Sequence, residues 1–107
     1  MYKNIDKKEV MNLKDLVTYQ DGQVISRTLA QNEKVSVTLF SFDEKEEIET
    51  HSAGGDALLT VLEGEARIVI DDDEYTLKEG ETIVMPSGHP HSVHAITRFK
   101  MFLVVSF

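Results

Sequence analysis

The residues best suited to chemistry in this chain are its four histidines. His89 and His91 follow the turn Pro86-Ser87-Gly88, which comes directly after the short apolar run Ile83-Val84-Met85. Proline and glycine favour a tight turn, so we expect the backbone here to be rigid and to aim a following histidine at a fixed point. A histidine held in this way can act as a metal ligand or as an acid or base near neutral pH.

The composition limits the classes of function open to the chain. A length of 107 residues predicts one domain, residues 1–107. Eleven basic against 19 acidic residues give a net charge of −8, which disfavours binding to nucleic acid. No apolar run is long enough to cross a membrane, and the N-terminus does not resemble a secretory signal. There is no cysteine, which excludes disulfides and thiolate metal sites and suits the cytoplasm.

Hydrophobic periodicity predicts a mostly β structure. Within an N-terminal segment, residues 1–20, the spacing of Val10, Leu13, Leu16 and Val17 predicts a short helix over residues 3–17, with Asp6 as a possible cap. After this segment the period becomes two, and short strands separated by turns predict an all-β sandwich or barrel. The predicted strands are 24–29, 35–42, 48–51, 57–62, 66–70, 74–77, 82–85, 91–96 and 99–106.

The strand over residues 35–42 has apolar side chains on both faces. Val37 and Leu39 share one face, and Phe40 and Phe42 share the other. A strand of this kind is covered on both sides, and a homodimer partner is the simplest cover for the outer face.

Two motifs carry a family resemblance. Gly80, Pro86, Gly88 and His91 match all four positions of the second cupin motif, and the turn around Glu63-Gly64 looks like the end of the first. Over residues 35–107 the chain thus resembles a small single-domain cupin of the RmlC-like type, a conserved barrel. The resemblance implies a double-stranded β-helix, or jelly-roll barrel, often dimeric and with a pocket at one mouth.

The metal-binding pattern implied by this resemblance is incomplete. The family uses a His-x-His pair, a glutamate and the histidine of the second motif. Here the glutamate position falls on Ala57, and the pair falls on His51 and Ala53 or on Thr50 and Ser52. At most two of the four ligands remain, His51 and His91. The position of a late asparagine in many cupins is Ala95.

A third metal ligand would have to come from a nearby polar residue, since a firmly held metal usually has three or four protein ligands. Strand alternation turns Asp56 and His94 away from the barrel interior, whereas Glu49 has the same parity as His51. His89 lies in a turn, where its direction cannot be read. Glu49 and His89 are therefore the additional candidates.

Inward-pointing side chains predict the lining of a pocket beneath the histidines. The alternation predicts a mostly apolar wall with a few polar groups at its mouth, which is typical of a small-molecule site. The same small residues could instead allow the barrel to close over a packed interior. The predicted lining is Ala57, Leu59, Val61, Ala66, Ile68, Val93 and Ala95.

Three functional interpretations follow from these observations. The first is a cytoplasmic cupin that binds a small molecule, with or without a divalent metal (Zn, Fe, Mn or Ni) on His51 and His91. The second is an enzyme, such as a sugar or uronate isomerase, a lyase or a dioxygenase, in which His51 and His91 are the catalytic candidates. The third is a non-catalytic structural or regulatory homodimer. In the first interpretation the histidines can also line a metal-free pocket.

Overall fold

The computed structural model describes all residues from Met1 to Phe107 and contains nine strands. The all-β prediction is confirmed, and the nine predicted strands match those observed to within two residues at each end. Their bounds are β1 Val24–Gln31, β2 Val35–Phe42, β3 Glu47–His51, β4 Asp56–Glu63, β5 Glu65–Ile70, β6 Asp73–Lys78, β7 Thr82–Met85, β8 His91–Ala95 and β9 Phe99–Ser106.

The strands form two antiparallel sheets that face each other. The larger sheet has the order β1-β2-β9-β4-β7, and the smaller has the order β3-β8-β5-β6. Sequence neighbours often lie in different sheets: β3 leaves the larger sheet for the smaller one, and β4 returns beside β9. This alternation between two sheets is the jelly-roll arrangement that the resemblance implied.

The core of 13 buried residues fills the space between the two sheets. Phe42 of β2 and Phe99 of β9 stack within it, with ring centroids 4.4 Å apart. Every strand except β1 and β3 contributes a buried side chain to this cluster, and Val24 and Ile48 pack against it from those two. Burial of apolar surface between the sheets is thus the main source of the barrel's stability.

The N-terminal segment contains far less helix than its periodicity predicts. Only Leu13–Leu16 is helical, as a single 3-10 turn. Asn4 and Lys8 have positive φ values of 59° and 66°, which an α-helix cannot accommodate. Val10 is fully exposed, so the short helical element is confirmed but does not extend over residues 3–17. No part of the chain forms a helix long and apolar enough to cross a membrane.

The outer face of β2 is covered by the chain's own N-terminal segment. Val37 and Leu39 belong to a second apolar cluster with Val17 and Leu29, and Leu13 packs against it. The cover expected from a dimer partner is therefore supplied within one chain on this part of the sheet.

Hydrogen bonds to the backbone hold the segment on the sheet. The Arg27 guanidinium donates to the carbonyl oxygens of Asn4, at 2.7 Å, and Leu16, at 2.8 Å. The Lys3 amide donates to the carbonyl of Leu29 at 2.7 Å. The half-buried Arg27 thus holds the segment at both of these points.

Candidate functional site

His51 and His91 lie side by side at one end of the barrel. They are direct cross-strand partners on β3 and β8, as the sequence predicted for neighbouring strands. Their ring centroids are 4.4 Å apart and the rings meet edge to face at 64°. His91 is buried, with only 4% of its surface exposed, whereas His51 is exposed. The pair therefore forms the boundary between the barrel interior and solvent.

Each of these histidines turns the same ring nitrogen toward a backbone carbonyl. Nδ1 of His51 lies 3.0 Å from the carbonyl oxygen of Glu49, and Nδ1 of His91 lies 3.2 Å from that of His89. Since a carbonyl can only accept, Nδ1 carries the proton in both rings and donates it. In the neutral form of such a ring Nε2 has a free lone pair, the arrangement found in metal-bound histidines.

Burial lowers the pKa of His91 below its ordinary value. Loss of solvent around the imidazole is the largest cause, and the positive charge that His51 can carry acts in the same direction. The carbonyl of His89 opposes the shift only in part. His91 is therefore neutral at physiological pH and able to accept a proton or a metal ion.

The other predicted candidates do not join the pair. His89 is turned away and its Nδ1 lies 2.7 Å from a carboxylate oxygen of Asp71. Glu49 contributes only its backbone carbonyl to His51. The pairing register shifts between Ile48 and His51, which breaks the strict alternation on which the prediction for Glu49 depended. No group of three or more His, Asp or Glu side chains in the molecule could hold a metal ion.

His94 lies on the opposite face of β8, as its parity predicted. Its Nδ1 is 2.7 Å from a carboxylate oxygen of Glu47, and its Nε2 is 2.9 Å from the Ser92 hydroxyl. This Ser-His-Glu chain of hydrogen bonds was not predicted from the sequence. The Ser-x-His spacing on one strand was the available signal, because residues i and i+2 share a face.

The residues predicted to line a pocket are all inside the barrel, but they are tightly packed there. All seven belong to the core cluster, and none is more than 5% exposed. The three cavities of the molecule have other linings. In this structure these residues are packing residues, and a ligand-lining role for them stays a prediction. They are Ala57, Leu59, Val61, Ala66, Ile68, Val93 and Ala95.

A match to a known family model assigns the chain to a family. Residues 38–107 match the model of the cupin domain, which is more than half of the chain. The chain belongs to the cupin family. A curated relative from Aquifex aeolicus, an uncharacterized protein, is 25% identical over 100 residues and is covered over 83% of its length.

Two solved structures are similar to this cupin over nearly its whole length. One is a conserved protein of unknown function from Streptococcus pyogenes, with a TM-score of 0.96 and 44% identity over 98% of this chain and 92% of that one. The other is a cupin superfamily protein from Desulfitobacterium hafniense, with a TM-score of 0.96 and 31% identity over 100% of this chain and 98% of that one. Neither name states an activity.

The complete cupin metal centre does not fit this chain. Ala57, at the position of the family's glutamate, is 2% exposed and pairs with Met85 and Val105 on the adjacent strands. Its side chain has no ligand atom. Imidazole nitrogens, the donors that remain, suit zinc, iron and nickel better than they suit hard cations.

Proposed function

We propose that this cupin binds a small molecule at the mouth of its barrel, through a divalent transition metal held by Nε2 of His51 and Nε2 of His91. One observation carries the proposal: both rings commit Nδ1 to a backbone carbonyl, which leaves Nε2 of each ring free to bind, and the ring centroids are 4.4 Å apart. A metal bound there supplies Lewis acidity and leaves coordination positions for an exogenous ligand. With only two protein ligands, its affinity is expected to be below that of a four-ligand structural site.

The two histidines differ in their exposure to solvent, and this difference gives them different roles. His91 is buried and neutral, so its Nε2 is an acceptor without competition from protonation. His51 is exposed and can be reached from solvent. A ligand would thus approach from the His51 side and meet His91 at the edge of the packed core. The absence of cysteine supports the cytoplasm as the proposed compartment.

Calorimetric titration of zinc and nickel into the tag-free protein tests this proposal. We expect one binding event in the wild type, and we expect it to be lost in His51→Ala and in His91→Ala. His89→Ala is the matched control, because it removes a histidine of the same region that already pairs with Asp71. Binding that survives both single substitutions, or that disappears equally in the control, would place the metal elsewhere.

A second proposal concerns assembly: we infer that two copies associate through the uncovered half of the larger sheet. Leu58 and Val84 lie side by side on β4 and β7 on its outer face, in one row with the neighbouring Val104 of β9, which packs against the cluster under the N-terminal segment. Leu58 and Val84 are 38% and 52% exposed. Apolar side chains in contiguous positions, in a chain of which 28% is charged, are typical of an interface core.

Substitution in this row tests the homodimer. Leu58→Asp places a charge at the centre of the row and should yield a monomer in analytical ultracentrifugation, whereas the wild type should sediment as a dimer. Ile96→Asp is the control, since Ile96 is 44% exposed but lies on β8's side of the barrel. A wild type that is monomeric at high micromolar concentration would overturn this proposal.

A further inference from the structure

An apolar groove lies on the outside of the barrel, beneath the N-terminal segment. It has a volume of about 410 Å³, and its apolar lining consists of Tyr2, Ile5, Leu13, Leu29, Val37 and Phe102. This volume is within the range of roughly 300–1,000 Å³ that small-molecule sites occupy. The groove is remote from the histidine pair, because it lies on the outer face of the larger sheet whereas the pair belongs to the smaller sheet.

A second apolar cavity lies next to the groove. This second cavity, of about 290 Å³, shares Tyr2, Val37 and Phe102 with the first, so the two adjoin on the outer face of the sheet. Beyond the shared residues the second cavity is lined by further apolar side chains, among them Ala30, Val35 and Val104. Walls that are mostly apolar favour an aliphatic group over a polar molecule.

The rim of the groove carries one negative and one positive side chain. Asp6 and Lys7 are the charged residues of the lining, and neither forms an ion pair within the protein. The first ten residues hold three lysines against two acidic residues, although the whole chain has a net charge of −8. Lys7 is the only cation of the lining, and its long flexible side chain can extend past the shorter Asp6 to an anionic group at the mouth of the groove.

We propose that the N-terminal groove, defined by the six apolar residues above with Lys7 at its rim, binds an aliphatic carboxylate. The chain lies between the N-terminal segment and the outer face of β1, β2 and β9, and the carboxylate pairs with the Lys7 ammonium. Binding adds apolar contacts to both the segment and the sheet. Ligand binding therefore also strengthens the attachment of the segment.

Methyl NMR of the full-length protein, titrated with decanoate, tests this inference. We expect saturable shifts in the methyl signals of Leu13, Leu29 and Val37, with the signals of Leu58 and Val84 unchanged. Decanol should bind several-fold more weakly, because it lacks the charge that Lys7 recognises. No shifts up to millimolar decanoate, or shifts that spread over the Leu58 and Val84 half of the sheet, would overturn the proposal.

Two pairs of variants separate the apolar contact from the charge. Tyr2→Ala should weaken decanoate binding roughly tenfold, since an aromatic side chain carries a large share of apolar contact. Tyr75→Ala, which removes another exposed tyrosine outside the groove, should not. Lys7→Ala should weaken decanoate and leave decanol unchanged, whereas Lys45→Ala should affect neither. An equal loss of decanoate affinity in both tyrosine variants, or in both lysine variants, would contradict the site.

The same methyl signals test whether a second copy of the chain occupies the groove. If the Leu13 and Val37 signals shift with protein concentration alone, a second copy covers the groove and the proposal fails.

Discussion

At the scale of single residues, His51 and His91 show which parts of a site a sequence reveals. The motif spacing predicted both histidines, and the adjacency of their strands followed from the fold that the motif implies. The ring orientations could not be predicted, because they depend on which backbone carbonyls lie within reach of Nδ1. The direction of the Glu49 side chain could not be predicted either. The pairing register shifts between Ile48 and His51, and a shift of one residue turns side chains to the other face of the sheet.

The lowered pKa of His91 predicts how stability changes with pH. A histidine whose folded-state pKa lies below its unfolded value binds protons more readily when unfolded, so acidification through about 6.5 favours unfolding. The wild type should therefore lose stability between pH 8 and pH 5.5 more steeply than His91→Gln. Urea denaturation at a series of pH values measures this difference. Parallel curves for the two proteins would show that His91 has no lowered pKa.

The motif glycines differ in what a side chain would meet. Both Gly64 and Gly80 have positive φ, 81° and 85°, but only Gly64 has close neighbours: an added Cβ would press on the carbonyl of Arg98 and lie 2.9 Å from Cα of Phe99. Gly80→Ala should cost about 1–2 kcal/mol in free energy of unfolding, from backbone strain alone. Gly64→Ala should cost more than about 3 kcal/mol, because strain and a backbone clash add. Equal losses in thermal or chemical denaturation would be inconsistent with this packing.

At the scale of elements, the strands were predictable and the N-terminal segment was not. Alternation with a period of two is imposed by a sheet that has one buried face, so it survives in the sequence. The segment also has apolar residues at helical spacing, but these pack onto the outer face of β2 one at a time from an irregular backbone. The spacing of apolar residues alone does not distinguish a helix from an irregular segment that buries a few side chains.

Two valines distinguish the docked segment from the predicted helix. A helix over residues 3–17 would place Val10 and Val17 on one face, whereas in the structure Val10 is fully exposed and Val17 is 4% exposed. Val17→Asp should lower the free energy of unfolding by more than about 3 kcal/mol, because it buries a charge. Val10→Asp should change it by less than about 0.5 kcal/mol. A large loss in both variants would favour the helix.

At the scale of the whole molecule, the barrel interior was the main open question in the sequence. Small residues such as Ala57 and Ala66 are compatible with a cavity or with close packing of the two sheets. Whether the interior is a cavity or a packed core depends on larger side chains from strands that are far apart in sequence, such as Phe42 and Phe99. Their stacking fills the space, and this contact between residues far apart in sequence cannot be read from alternation.

The net charge predicts how the proposed homodimer responds to salt. Each copy carries −8, so two copies repel each other while the apolar row draws them together. Raising the ionic strength from about 0.01 M to about 0.15 M shortens the screening length from roughly 30 Å to roughly 8 Å and should tighten the dimer. Sedimentation equilibrium at the two salt concentrations measures the dissociation constant. A dimer that weakens with salt would be held by ion pairs and not by the apolar row.

The proposed metal site on His51 and His91 is tested most directly by the protonation of the two rings, measured by long-range ¹⁵N NMR before and after one equivalent of zinc. The structure predicts that His51 and His91 carry their proton on Nδ1 at neutral pH, and that zinc shifts the Nε2 signals of these two rings alone. Protons found on Nε2 in either ring, or a zinc response at His89 or His94 in their place, would contradict the proposed binding site.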